Sequence, residues 1–87
     1  MIKLIAVKPV GDCILDLTFS DGSYARWSAA YLVERNSVLT RALAEPTYFS
    51  RAFIESGALA WPNGLELSAS ALYRALDQKR LLNRQAA

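Results

Sequence analysis

Ala58-Leu-Ala-Trp-Pro-Asn-Gly-Leu-Glu-Leu-Ser-Ala-Ser-Ala-Leu-Tyr73 compresses a strand, a stop, a tight turn and a helix start into sixteen residues. Trp61 closes a strand on its core-facing side. Pro62 has no amide donor and prevents the ladder from continuing. Asn63-Gly64 tolerates positive φ and reverses the chain, Leu65-Glu66-Leu67 leads out of the turn, and Ser68 is placed to cap a helix. These signals are architectural, and none of them carries chemistry by itself.

Upstream, Ala52-Phe-Ile-Glu55 and Ala58-Leu-Ala-Trp61 read as a hairpin across Ser56-Gly57. That pairing sets Ile54 opposite Leu59 on one face and Phe53 opposite Ala60 on the other. Downstream, Ala69, Leu72, Tyr73 and Leu76 form one helical stripe. Leu81 and Leu82 fall off the stripe, and residues 81–87 are expected to form a disordered tail behind a single domain of residues 1–80.

The N-terminal half reads as three strands. Ile2–Lys8 alternates, with Ile2, Leu4 and Ala6 on one face and Lys3, Ile5 and Val7 on the other, until Pro9–Asp12 breaks it. Cys13, Leu15, Leu17 and Phe19 point inward from the second strand, with Asp16 and Thr18 outside. A three-residue Ser20-Asp21-Gly22 loop with a left-handed glycine sets Leu17 against Ala25, Leu15 against Trp27 and Asp16 against Arg26. Ser28 then caps a short helix to Arg35, Asn36-Ser37 interrupts it, and a second helical run through Leu43 lays Leu39, Ala42 and Leu43 on the sheet. Glu45-Pro46 stops that run, and Tyr48-Phe49 adds one turn that plugs the core. The expected fold is α+β in the order βββαββα, a mainly antiparallel sheet with its helices packed on one face.

Composition narrows the function classes. A chain of 87 residues buries only about 60–65% of its unfolded surface, which leaves little room for an enclosed active site. Apolar residues make up 53% and charged ones 21%, a globular balance. A net charge of +2 is too mild for a dedicated nucleic-acid binder, whose basic residues cluster. With no histidine and one cysteine, His/Cys metal sites and disulfide frameworks are excluded, and no cofactor is expected. No apolar run approaches the roughly 20 residues of a membrane span, and the expected location is the cytoplasm.

For catalysis the candidates are Asp12, Asp16, Asp21, Glu66 and Cys13, and they fall in no catalytic spacing. Asp12 and Asp21 sit beside turn glycines, where a carboxylate bonds to local amides. Glu66 is placed to accept amides from the Trp61–Gly64 turn or the helix start. Cys13 reads as an inert core thiol. The domain is therefore expected not to be an enzyme. Arg26, Arg35, Arg41 and Arg51, with Tyr24 and Trp27 as stacking surfaces, offer a weak nucleic-acid reading; the interspersed Asp16, Glu34, Glu45 and Glu55 favour a solvated mixed-charge surface. Parity places Ile5, Val7, Ile14, Thr18, Tyr24, Phe53 and Ala60 on an outer sheet face that no helix is left to cover. This face, around Ile5, Ile14, Tyr24, Trp27 and Phe53, is the candidate partner surface.

Phe19-x-Asp21-Gly22, Leu43-x-Glu45-Pro46-x-x-Phe49, Trp61-Pro62-Asn63-Gly64-x-Glu66-Leu67 and Leu72-Tyr73 together resemble the bacterial DUF2442 family of small α+β domains, over residues 2 to 76. The most specific segment is Trp-Pro-Asn-Gly with Leu-Tyr behind it. This sequence departs from the family pattern at Glu45 and Glu66, where aspartate is common, and at Trp27-Ser28. Stand-alone members are often encoded beside a small partner suspected of being a toxin. The resemblance therefore implies an antitoxin-like or regulatory interaction module, with a toxin-like protein or a second copy as partner. Some members carry a helix-turn-helix domain, for which there is no room after residue 76.

Overall fold

A computed structural model describes residues 1–84 of the chain. The strands β1 (Leu4–Gly11), β2 (Ile14–Phe19) and β3 (Tyr24–Ser28) form one antiparallel sheet in that order. After them come α1 (Ala30–Arg35), a 3-10 helix (Arg41–Ala44) and α2 (Pro46–Phe49). The strands β4 (Phe53–Glu55), β5 (Ala58–Ala60) and β6 (Glu66–Leu67) make a second antiparallel sheet, and α3 (Ala69–Gln78) follows. The fold is α+β as expected, with two corrections. The strands divide into two sheets instead of one, and Leu65-Glu66-Leu67, read only as a lead into the helix, contributes the short β6. The sheets are joined where the Leu4 amide donates to the Gly57 carbonyl at 2.9 Å.

The β2–β3 register is the one the loop chemistry requires: Leu17 faces Ala25, Leu15 faces Trp27, and Asp16 faces Arg26. The Gly22 amide donates to the Phe19 carbonyl at 2.9 Å, and the Phe19 amide to the Ser23 carbonyl at 2.8 Å. Gly22 has φ 88°, the left-handed bulge that follows a type I turn. The Trp61–Gly64 turn repeats this design. There the Gly64 amide donates to the Trp61 carbonyl at 3.1 Å, the Trp61 amide donates to the Leu65 carbonyl at 3.0 Å, and Gly64 has φ 95°. The β4–β5 hairpin also pairs as read, Ile54 with Leu59 and Phe53 with Ala60.

β1 departs from its simple alternation. A bulge between Leu4 and Ala6 places an extra residue, Ile5, outside the pairing. The face changes there, so Ala6 meets Thr18 outside and Val7 meets Leu17 inside, where Val7 packs on the core. Pro9 does not end the strand, because β1 is an edge strand whose outer side needs no donor; a second bulge follows, and the chain reverses at Asp12-Cys13. Cys13 is therefore a turn residue with φ 58°, half-buried, and not an inward strand position.

One core fills the space between the inner face of the first sheet and the helices. Leu15, Leu17 and Phe19 meet Leu32, Leu43, Phe49, Leu59, Trp61, Leu72 and Leu76 there. The left-handed Asn36 ends α1, and Ser37 and Thr40 exchange amide-to-hydroxyl bonds at 3.0 and 3.2 Å that restart the helical run. Leu43 is buried at its end, whereas Leu39, expected on the sheet, is exposed. The Ser68 hydroxyl caps α3 by accepting from the Ala71 amide at 3.0 Å.

The expected tail is structured through residue 84. Asn83 pairs with the edge of β3: its amide donates to the Tyr24 carbonyl at 2.7 Å and its carbonyl accepts the Tyr24 amide at 2.8 Å. Leu82 packs against the core. The remainder of the tail, residues 85–87, lies outside the described residues. Among the described residues no helix is long and apolar enough to cross a membrane.

Candidate functional site

The motif residues gather into two clusters, one under each glycine turn. Under the second turn Trp61 is 1% exposed, and its indole N–H donates to the Phe49 carbonyl at 3.0 Å. The Phe49 ring lies tilted on it with centroids 5.8 Å apart. Asn63 ties the turn down three ways. Its amide donates to the Tyr48 hydroxyl at 2.9 Å, its side-chain NH2 to the Leu39 carbonyl at 3.0 Å, and its side-chain oxygen accepts the Leu65 amide at 3.1 Å. Pro46 and Glu45 serve the short α2: the Glu45 carboxylate accepts weakly from the Thr47 amide at 3.5 Å, and the Glu45 and Pro46 carbonyls accept the Phe49 and Ser50 amides at 2.9 and 3.1 Å. Glu66 does not take the expected place as acceptor for the turn or the helix. It is exposed on β6 with no side-chain hydrogen bond among the described residues, and Asn63 and Ser68 satisfy those amides instead.

Asp21 is the hub of the first cluster. One carboxylate oxygen accepts from the Ser23 hydroxyl at 2.6 Å and the Ser23 amide at 2.9 Å; the other accepts from the Tyr73 hydroxyl at 2.7 Å. Arg84 donates to the same Tyr73 hydroxyl at 2.8 Å, reaches Asp77 at 3.3 Å, and lies 3.7 Å from Asp21. Phe19 packs edge-on against the Tyr73 ring at 5.2 Å. The bonds from Ser23, then Tyr73, pull the Asp21 carboxyl down to about 2, with Arg84 adding to the effect. A carboxyl lowered by folding contributes stability that is complete above its unfolded value of 3.8 and is lost as pH falls from there toward 2. The difference in urea midpoint between the wild type and Asp21→Asn is therefore expected to be constant near neutrality and to shrink between pH 4 and pH 2. Parallel curves down to pH 2 would show that the carboxylate charge is not what the cluster holds.

The outer face of the first sheet is organised in cross-strand rows. Ala6, Thr18 and Tyr24 form one row, and Lys8, Asp16 and Arg26 form the next. Arg26 grips Asp16 through two bonds of 2.9 and 3.2 Å, which lowers the Asp16 carboxyl below its usual range. A shallow hollow of about 410 Å³ opens beside this pair, bordered by Thr18, Tyr24 and Asn83. Tyr24 is 46% exposed and Ile5 61%; Ile14 is half-buried. Phe53 is 39% exposed but belongs to the second sheet, and its row partner Ala60 is buried between it and Glu66.

Trp27 is not part of this surface. It is 6% exposed, because strand parity turns it inward with Leu15 and the Tyr31 ring meets it edge-on at 6.2 Å. Three of the four arginines have a local partner: Arg26 holds Asp16, Arg35 lies over the Tyr31 ring, and Arg41 leans on the Ser37 carbonyl, while Arg51 is exposed. The Cys13 thiol donates to the Leu43 carbonyl at 3.6 Å. Among the described residues no group of three or more acidic or cysteine side chains is gathered to hold a metal.

Sequence reasoning missed the part played by the last residues, Asn83 and Arg84, and the bond from Tyr73 to Asp21 across 52 positions. The available signal was that Asp21 and Tyr73 both belong to the motif, while Phe19, two residues before Asp21, needs a partner for its ring edge.

No curated protein and no solved structure matches the chain. A family model described as "Protein of unknown function (DUF2442)" matches residues 4–78. That match spans both glycine turns, the two sheets and all of α3, and the chain belongs to the DUF2442 family.

Proposed function

We propose that the chain is a non-enzymatic, cytoplasmic protein-interaction module, the antitoxin-like partner of a small toxin encoded beside it. The observation that carries the reading is the outer face of the first sheet, where the exposed Tyr24 and the Arg26–Asp16 pair border an open hollow. Tyrosine and arginine are the residue types that anchor non-obligate interfaces, and a mixed apolar and charged face is what such an interface requires in a chain that is also soluble when free. The choice of partner rests on the gene neighbourhood that the family resemblance implies. The non-catalytic part rests on three of the candidate groups: Asp16 and Asp21 are bonded to their own neighbours, and the Cys13 thiol faces a carbonyl, while Glu66 stands exposed on β6.

Co-expression with the product of the adjacent gene tests the reading. Tyr24 pairs with Asn83 through its backbone alone, so Tyr24→Asp changes the face without breaking the bridge. It is expected to weaken the complex at least about tenfold, about 1.4 kcal/mol, at an unchanged melting temperature. Phe53→Asp measures what the second sheet adds. Undiminished binding by both variants would reject the face.

A further inference from the structure

The two edges of the first sheet are treated differently. Along β1 the edge is blunted by two bulges, by Pro9 and by exposed Lys3 and Lys8, and its first residue is bonded to Gly57. These are the devices that keep another strand from adding. β3 has no bulge against β2 and no proline; it shares only the tied first residue, Tyr24 on Asn83, and one exposed cation, Arg26. In an antiparallel strand alternate residues turn both backbone groups to the same edge, and on β3 these are Tyr24, Arg26 and Ser28, the residues opposite Thr18, Asp16 and Ile14. Asn83 satisfies Tyr24, while Arg26 and Ser28 have no backbone partner on that side among the described residues.

Beside this open stretch lies a second groove, of about 250 Å³, with Trp27, Tyr31, Leu76 and Leu81 forming its apolar wall. It is smaller than the usual small-molecule site and has room for one large apolar side chain. The charged residues lining it are Lys79 and Arg26, the latter already paired with Asp16, and Arg35 adds a positive charge over the Tyr31 ring.

We infer that the β3 edge from Arg26 to Ser28 is a docking site for an extended acidic segment of another protein, added as a short antiparallel strand. A residue opposite Arg26 exchanges both backbone bonds with it and carries its side chain on the outer face. The next residue turns its side chain inward, opposite Trp27 and into the groove. The segment that fits therefore alternates acidic and apolar residues, the carboxylates meeting the cationic rim and one apolar side chain meeting Trp27, Tyr31 and Leu81. The site shares Arg26 with the Tyr24 face but makes no use of Tyr24, and it stands whether or not that face has a partner.

Fluorescence anisotropy with a fluorescein-labelled, capped Glu-Leu-Glu-Leu-Glu peptide and the full chain tests the site. Saturable binding is expected, weakened at least tenfold by Leu81→Glu and several-fold by Lys79→Glu. Leu81 is 49% exposed, so neither change disturbs the core. N-methylation at the glutamates, whose amides face β3, is expected to abolish binding, whereas N-methylation at the leucines spares it. Absence of binding, equal binding of a Lys-Leu-Lys-Leu-Lys peptide, or equal effects of the two methylations would overturn the proposal. A dimer of the chain alone that dissolves in Leu81→Glu would assign the groove to a second copy and overturn it as well.

Discussion

Replacing Trp61 with alanine is expected to cost about 3–5 kcal/mol, enough to leave much of the chain unfolded at room temperature, because a domain this small has only about 5–15 kcal/mol in all. Two terms add. The indole is the largest fully buried side chain, and its loss opens a cavity against Phe49 that neighbouring elements cannot close without shifting α2. The second term is the Phe49 carbonyl, which loses the indole donor at 3.0 Å and keeps only the longer bond of 3.3 Å from the Ala52 amide. Trp61→Phe separates them, since it keeps most of the volume and removes only the indole donor; about 0.5–1.5 kcal/mol is expected for it. Urea titrations followed by circular dichroism measure both. A loss below about 1 kcal/mol for Trp61→Ala would mean that the segment opening this protein's motif is not its main packing anchor.

Gly57→Ala is expected to show the second large loss. With φ +84°, any side chain there pays for a left-handed backbone, about 1–3 kcal/mol. The added Cβ would also stand 2.9 Å from the Lys3 Cβ and 2.8 Å from its Cγ, so the start of β1 has to move. That movement acts on the bond from the Leu4 amide to the Gly57 carbonyl that joins the two sheets. Gly64→Ala is the matched control: its φ is +95°, but a Cβ there meets nothing within 4 Å. Gly57→Ala should therefore lose clearly more stability than Gly64→Ala. Equal losses would show that the approach of Lys3 to Gly57 imposes no constraint and that the junction between the sheets is soft.

The parts of this fold that were legible beforehand share one property: each is decided by residues close together in the chain. Ser20-Asp21-Gly22 admits one bulged loop, and that loop alone brings Asp16 to Arg26 and Leu17 to Ala25. The same holds for the turn at Asn63-Gly64, the hairpin at Ser56-Gly57 and the cap at Ser68. The errors lie where a distant segment decides. Val7 reads as outward by alternation, and only the bulge at Ile5, set by how β1 lies against β2, turns it in. Trp27 is the exception, since its register with Leu15 is local and already points it inward, and the Tyr31 ring of α1 completes its cover. Leu39 fits the helical stripe, yet the chain bends through Ser37–Thr40 and leaves it exposed, its carbonyl held by Asn63.

The candidate surfaces divide the same way. The outer face of the first sheet was visible in the parity of β2 and β3. The β3 edge was not, because its meaning depends on Asn83 returning to Tyr24 from 59 residues away and on α3 setting Leu76 beside Trp27.

By itself the amino-acid sequence determined the turns at Gly22, Gly57 and Gly64, the cap at Ser68, the β2–β3 and β4–β5 registers and the inward residues of the last helix, since backbone preference and side-chain alternation act over a few bonds; the helix cap read at Ser28 falls instead on Ala29, without a side-chain bond. Tertiary structure alone decided the split into two sheets, the ordering of residues 81–84, the joining of Asp21 to Tyr73 and Arg84, and which sheet edge stays open. Those outcomes depend on contacts between segments that are far apart in the chain, and local preference has no term for the contact that forms when such segments meet.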